Sequence, residues 1–125
     1  MARRSRVLLV EDEPAVRAVV DRQLEALGWE SVPTGTGREA IGIVRQGLIV
    51  DVLLTDMELP DLDGISIAKA IARLSPGTRV AFMSGSMLEQ PLEPSDAPFL
   101  RKPFSFSDLA DALAGAVRMP RPYPR

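Results

Sequence analysis

The chain has 125 residues, with no histidine and no cysteine. Without imidazole or thiol there is no Ser-His-Asp or Cys-His machinery, no haem, iron–sulfur or ordinary zinc ligand set, and no disulfide frame. A formal charge of −2 argues against a polybasic surface for nucleic acid or membrane, and 46% hydrophobic with 26% charged residues is ordinary for one globular domain.

In chain order, Arg6 to Val10 reads as a buried strand ended by Glu11-Asp12-Glu13-Pro14. The run Val7-Leu8-Leu9-Val10 is too short for a secretory core of roughly 7–15 apolar residues, so a soluble, cytoplasmic chain is expected. Pro14 suits a first helical position behind an acidic N-cap, and Val16, Val19, Val20, Leu24 and Leu27 recur at helical spacing before Gly28. A short strand at Glu30 to Val32 follows, then a helix carrying Ala40, Ile41, Val44 and Leu48. Val50 to Thr55 predicts a third strand with Asp56 at its end. A turn, Glu58 to Gly64, leads into a helix with Ile65, Ala68, Ile71 and Leu74 that Pro76-Gly77 breaks.

Val80 to Met83 and Phe99-Leu100 predict the last two strands, and a final helix is expected from Ser107 as N-cap. Pro91, Pro94 and Pro98 interrupt the segment where a further helix belongs, so that helix is expected to be short or absent. Residues 119–125 alternate Pro and Arg and predict an extended, solvated end. Strand–helix alternation with two-sided burial implies one doubly wound parallel sheet, the domain core running from about residue 6 to 117.

In such a sheet the C-terminal strand ends line one edge, where ligands bind. Glu11, Asp12 and Asp56 reach that edge, and the later strands deliver Ser84 and Lys102 to it. Each taken singly has a plain explanation: helix cap, turn former, solvated charge. Lys102 is, however, one of only two lysines in a chain whose other basic residues are arginines. Gathered carboxylates repel one another and call for protons or a cation, and an all-oxygen set suits Mg²⁺, with Mn²⁺ as a substitute. Cation, ammonium and hydroxyl around one carboxylate make a site for a phosphoryl group, with the carboxylate itself as a nucleophile.

The segments VLLVEDEP, LLTDMELPDLDG, MSG and RKPF resemble the receiver domains of two-component response regulators. The resemblance runs from Arg6 to about Val117 and implies a flavodoxin-like fold with strand order 2-1-3-4-5. It also implies a phosphoacceptor at Asp56 and a metal site of Glu11, Asp12, Asp56 and the Glu58 backbone carbonyl. Ser84 and Lys102 match the groups that contact the phosphoryl oxygen atoms, Phe99 the aromatic switch, and Lys102–Pro103 the cis peptide bond. Glu58 and Ser86 fall where the family tunes the phosphorylated lifetime. The MSG and PFLRKPF segments are similar to receivers of hybrid sensor kinases.

The resemblance further implies a histidine kinase or histidine phosphotransfer protein as donor, since this chain has no histidine to offer. It implies an unidentified downstream protein, no direct nucleic-acid or membrane contact, and a monomer or weak dimer. The chain is then a signalling domain that assists its own phosphotransfer and dephosphorylation rather than an enzyme. Three other readings fit less of the sequence. A Mg²⁺-dependent aspartate phosphatase wants a second Asp where Glu58 stands. A flavin or nucleotide module wants a Gly/Ser/Thr cradle where EDEP stands. A degenerate receiver acting only as a binding module would lack site groups that are all present here.

Overall fold

The computed structural model describes residues 4–85, 97–119 and 123. In order these form β1 (Arg6–Val10), α1 (Pro14–Ala26), β2 (Glu30–Thr34), α2 (Gly37–Arg45), β3 (Val52–Asp56), α3 (Gly64–Leu74), β4 (Arg79–Ser84), β5 (Phe99–Arg101) and α4 (Phe106–Arg118). The strands make one five-stranded sheet in the order β2-β1-β3-β4-β5, and every pairing in it is parallel. The expected topology is therefore present. Pro33 sits in β2, an edge strand, where a missing N–H leaves the ladder intact.

Alternation along the central strands divides the core between two faces. Leu8, Val10 and Leu53 point to one side and pack with Ala40 and Val44 of α2 and Ile67, Ala68 and Ile71 of α3. Val7, Leu9, Val52 and Leu54 point to the other and pack with Val20 and Leu24 of α1 and Leu109, Leu113 and Ala116 of α4. Covering both faces is what lets β3, VLLTD, be buried along its whole length. Trp29 is half-buried against the second cluster.

Local chemistry sets the element ends. Glu13 is the N-cap residue of α1 with Pro14 behind it, although its side chain makes no capping bond. Gly28, at φ 93°, takes the left-handed turn after α1 that a Cβ would strain. Thr36 caps α2 by accepting from the Glu39 N–H, and Asp63 caps α3 by accepting from Ser66. The last helix corrects the sequence expectation. Its N-cap is Ser105, not Ser107, because Ser105 and Asp108 form a reciprocal capping box that Ser107 has no partner to build.

The segment after α4 brings a second correction. Its expected solvated character fails at Tyr123, which is only 6% exposed and meets Phe82 edge-on, ring centroids 5.8 Å apart. The aromatic ring gains from burial against the apolar sheet face and from its edge-on ring contact, which a Pro/Arg composition does not register. The expected loss of a helix between β4 and β5 concerns residues 86–96, which lie outside the described residues. Among the described residues no helix is long and apolar enough to cross a membrane.

Candidate functional site

The parallel topology brings β1, β3, β4 and β5 to one sheet edge with their C-terminal ends aligned. Asp56 is the last residue of β3 and is 4% exposed. Glu11 follows β1 directly, and its amide donates to the Thr34 carbonyl at 3.0 Å, extending the ladder one residue beyond the strand. Its side chain is 1% exposed, and one carboxylate oxygen accepts from the Glu13 N–H at 3.2 Å. Asp12 stands beside it on the exposed side of the cleft. Glu11, Asp12 and Asp56 each present a carboxylate oxygen, and the three lie within 4.8 Å of one another.

Lys102 enters from the end of β5, where its amide donates to the Ser84 carbonyl at 2.8 Å. Its ammonium pairs with Asp56 Oδ1 at 2.6 Å and with Glu11 Oε1. The Lys102–Pro103 peptide is cis, as the resemblance implied. Ser84, buried, ends β4 next to these groups. Phe99 opens β5, in register with Phe82, and is half-buried against the α2–α3 cluster. The topology thus collects Glu11, Asp12, Asp56, Ser84 and Lys102 at one edge, with Phe99 on the adjoining face. Glu58 is exposed in the β3–α3 loop, and Ser86 lies outside the described residues.

The electrostatics follow from crowding charges at a sheet edge where Glu11 and Asp56 are buried and Asp12 is exposed. Burial is the main force that pushes the Asp56 carboxyl up to about 8. The Glu11 carboxylate beside it adds to the shift and Lys102 opposes it. Burial also works against Glu11 ionising, but hydrogen bonds from Asp56, Lys102 and the Glu13 amide outweigh it and hold Glu11 below its usual range. Burial works against the Lys102 cation as well, and the two acids overcome it and raise Lys102. At neutral pH and without a cation, the acid pair therefore retains one proton, on Asp56. An all-oxygen, anionic, water-facing cluster of this kind fits a hard divalent cation that keeps part of its hydration.

Three residues that support the site were not singled out from sequence. Arg17, on the first turn of α1, donates from Nη1 to the Glu11 carbonyl at 2.9 Å and fixes the acid loop. Its spacing from Glu11 was readable, but a carbonyl partner leaves no mark in a residue pattern. Asp61 accepts from the Gly37 and Arg38 amides at 3.2 and 2.9 Å, tying the β3–α3 loop to the start of α2. Gly64 is required by close approach, since a Cβ there would stand 2.4 Å from the Asp56 carbonyl oxygen. The DG pair of LPDLDG was its signal. Beside the cleft an open groove of about 500 Å³ runs between α1 and the β5–α4 loop, lined by Val16, Val19, Val20, Pro103 and Phe104.

Residues 7–114 match the family model described as response regulator receiver domain. The chain is 36% identical over 112 residues to the sensor kinase CckA of Brucella abortus (strain 2308), covering 86% of this chain and 12% of that protein. It is 29% identical over 112 residues to the response regulator receiver protein CpdR of the same organism, covering 86% of this chain and 92% of that one. A crystal structure of the receiver domain from the hybrid histidine kinase CckA superposes with a TM-score of 0.77 at 32% identity, covering 91% of this chain and all of that one. The chain spans 12%, 45% and 56% of the length of the first three distinct curated relatives. With the 2-1-3-4-5 sheet and the acid–lysine cleft both in place, the chain belongs to the response regulator receiver domain family.

Proposed function

We propose that this receiver takes a phosphoryl group from a phosphohistidine onto Asp56 in a Mg²⁺-dependent reaction and changes conformation in response. The observation that carries the reading is Asp56 itself. It is buried at a strand end, with two further carboxylates within 4.8 Å and a lysine ammonium at 2.6 Å. No purely structural role calls for that concentration of opposed charge.

Glu11, Asp12, Asp56 and the Glu58 backbone carbonyl are the residues that would hold Mg²⁺, or Mn²⁺ in its place. When bound, the ion neutralises the acids and the oncoming phosphoryl oxygen atoms. An Asp56 carboxylate oxygen then attacks phosphorus. The new O–P bond forms as the P–N bond to the donor imidazole breaks, and the electron pair of that bond stays on the imidazole nitrogen. Lys102, already seated between Asp56 and Glu11, supplies a positive charge for the transferred group, and Ser84 supplies a hydroxyl from the neighbouring strand. Drawing Ser84 toward the phosphoryl group and repacking Phe99 make up the switch. Glu58 and Ser86, at the positions where the family tunes the phosphorylated lifetime, set how readily water attacks the acyl phosphate.

The donor is a histidine kinase or a histidine phosphotransfer protein. The groove along α1 supports this, since it opens beside Lys102 and leaves Val19 55% exposed, an apolar seat for a donor helix. The similarity to a receiver from a hybrid histidine kinase points the same way. The chain acts as a cytoplasmic domain that assists its own phosphorylation and hydrolysis, without contact to nucleic acid, as a monomer or weak dimer, and passes its state to a separate protein.

Incubation with Mg²⁺ and acetyl phosphate tests the reading. Intact-mass measurement should find one added phosphoryl group on the wild type and none on Asp56→Asn. Equal labelling of both proteins sinks the assignment, and so does labelling that survives chelation of the metal.

A further inference from the structure

We propose that Arg17 is a positioning residue for the cation site: its guanidinium, seated against Gly35, sets the direction in which Asp12 is presented to a divalent ion. This rests on the Mg²⁺-dependent phosphoacceptor reading above and gives that site a support outside the acids and the lysine.

Of the three clustered carboxylates, Glu11 and Asp56 are buried, whereas Asp12 is exposed and belongs to no strand or helix. What aims Asp12 is therefore the peptide ahead of it. A peptide unit is planar, so fixing the Glu11 carbonyl fixes the plane in which the Asp12 Cα lies. The Glu11 backbone is tied at both ends: its amide donates to the Thr34 carbonyl at 3.0 Å, and its carbonyl accepts from Arg17 Nη1 at 2.9 Å. Arg17 is itself firmly based. Its amide donates to the Glu13 carbonyl at 2.9 Å, and Val20 and Leu24 seat α1 in the core.

Gly35, in the turn after β2, supplies a second observation. A Cβ built there would stand 2.9 Å from Arg17 Nη1 and 3.7 Å from its Cζ, so the guanidinium lies where a side chain at this position would begin. Gly35 does not have a left-handed φ, so alanine would add a methyl group without backbone strain. The obstacle is the far end of a flexible side chain, and it is the guanidinium that gives way rather than the fold. By charge alone, a cation so close to a cation site weakens it, and removing Arg17 should tighten Mg²⁺ binding. A positioning role has the opposite sign, since a metal ligand that loses such a support loses about tenfold or more in affinity.

Mg²⁺ titrations of the full-length chain, followed by the amide resonances of Glu11 to Glu13, test this. Arg17→Ala and Gly35→Ala should each bind Mg²⁺ about tenfold more weakly than wild type. Labelling by acetyl phosphate at saturating Mg²⁺ should stay within about twofold of wild type, so that the loss falls on the half-saturating Mg²⁺ concentration and not on the maximal rate. Wild-type or tighter Mg²⁺ affinity in either variant overturns the positioning role. A contact that mattered only to stability would lower the urea midpoint and leave that affinity where it was. Gly35→Ala keeps every charge and the arginine itself, so it decides the matter even if Arg17→Ala folds poorly. A wild type that gains neither Mg²⁺ nor phosphoryl mass overturns the phosphoacceptor reading as well. A wild type that gains both, beside variants of unchanged affinity, overturns the role of Arg17 alone.

Discussion

At the scale of single residues the chemistry reduces to where one proton sits. The raised value of Asp56, about 8, means that between pH 4 and 8 the folded protein holds a proton that the unfolded chain has released. Stability rises with pH only where the unfolded state binds more protons, and here the folded state does, so the metal-free protein should lose stability as pH climbs from 5 to 8. The slope for one proton is at most about 1.4 kcal/mol per pH unit. Glu11, held below its ordinary range, contributes stability that is lost only as pH falls below that range. Lys102, raised above its ordinary value, contributes stability that is lost only in strongly alkaline solution. Of these three groups, Asp56 therefore governs the middle window. Urea denaturation in chelator across pH 5–8 should find a falling midpoint for the wild type and a nearly level one for Asp56→Asn, whose amide keeps a donor toward Glu11. A wild-type midpoint that rises over this range would contradict the protonation assigned to the acid pair. Lys102→Met tests the same cluster from the other side. It strips the acids of their cation, so labelling by acetyl phosphate should fall at least about tenfold while Mg²⁺ still binds.

Elements matter here chiefly for how their ends are held, because every site group stands at a strand terminus or in the loop after one. The β3–α3 connection is the tightest of these. Gly64 donates its amide to the Met57 carbonyl at 2.8 Å, Glu58 and Asp63 form an isolated antiparallel bridge, and Asp63 caps α3. Gly64→Ala would place a methyl group against the Asp56 backbone, whose carbonyl lies 2.4 Å from the Cβ position. That backbone, with Met57 Cα 3.0 Å away on the same turn, is no flexible side-chain end, so the loop must shift. Destabilisation of about 1–3 kcal/mol is expected, together with a loss of phosphorylation larger than the unfolded fraction explains. Ser105→Ala offers the contrast. It breaks the capping box of α4 and should cost about 1 kcal/mol in thermal unfolding, yet leave the labelling rate of the folded protein unchanged. If Gly64→Ala labelled as fast as Ser105→Ala at equal folded fraction, the loop would not be positioning Asp56 at all.

For the molecule as a whole, what the sequence made legible follows from periodicity. Continuous apolar runs in β1, β3 and β4 encode burial on both faces and the stripes of α1, α3 and α4 burial on one side, and two-sided burial with crossovers leaves few topologies. The cleft was legible for a related reason: Glu11, Asp56, Ser84 and Lys102 all sit where an apolar run stops, and a parallel sheet aligns those stops. Hidden were the contacts that depend on distance along no element. Tyr123 reaches Phe82 from a proline-rich segment whose composition signals solvation, and Arg17 holds a backbone carbonyl. The Ser105 cap was missed because Ser105 and Ser107 both look like caps, and only the Asp108 partner separates them. The same whole-molecule view fixes what a divalent cation should do to stability. The fold gathers three carboxylates within 4.8 Å, an arrangement the unfolded chain cannot reproduce, so on the proposed assignment Mg²⁺ should bind the folded state selectively and stabilise it. At ten times its dissociation constant the gain is about 1.4 kcal/mol, enough to raise the melting temperature of a domain this size by several degrees. Because binding displaces the proton on Asp56, the gain at fixed Mg²⁺ should grow from pH 6 to pH 8, opposite in sign to the metal-free trend. Thermal melts with and without Mg²⁺ at both pH values check this, with Asp12→Ala as the control that removes an exposed ligand and leaves the buried pair alone. A Mg²⁺ effect that is equal at the two pH values, or that survives Asp12→Ala undiminished, would mean that the ion binds somewhere other than this cleft.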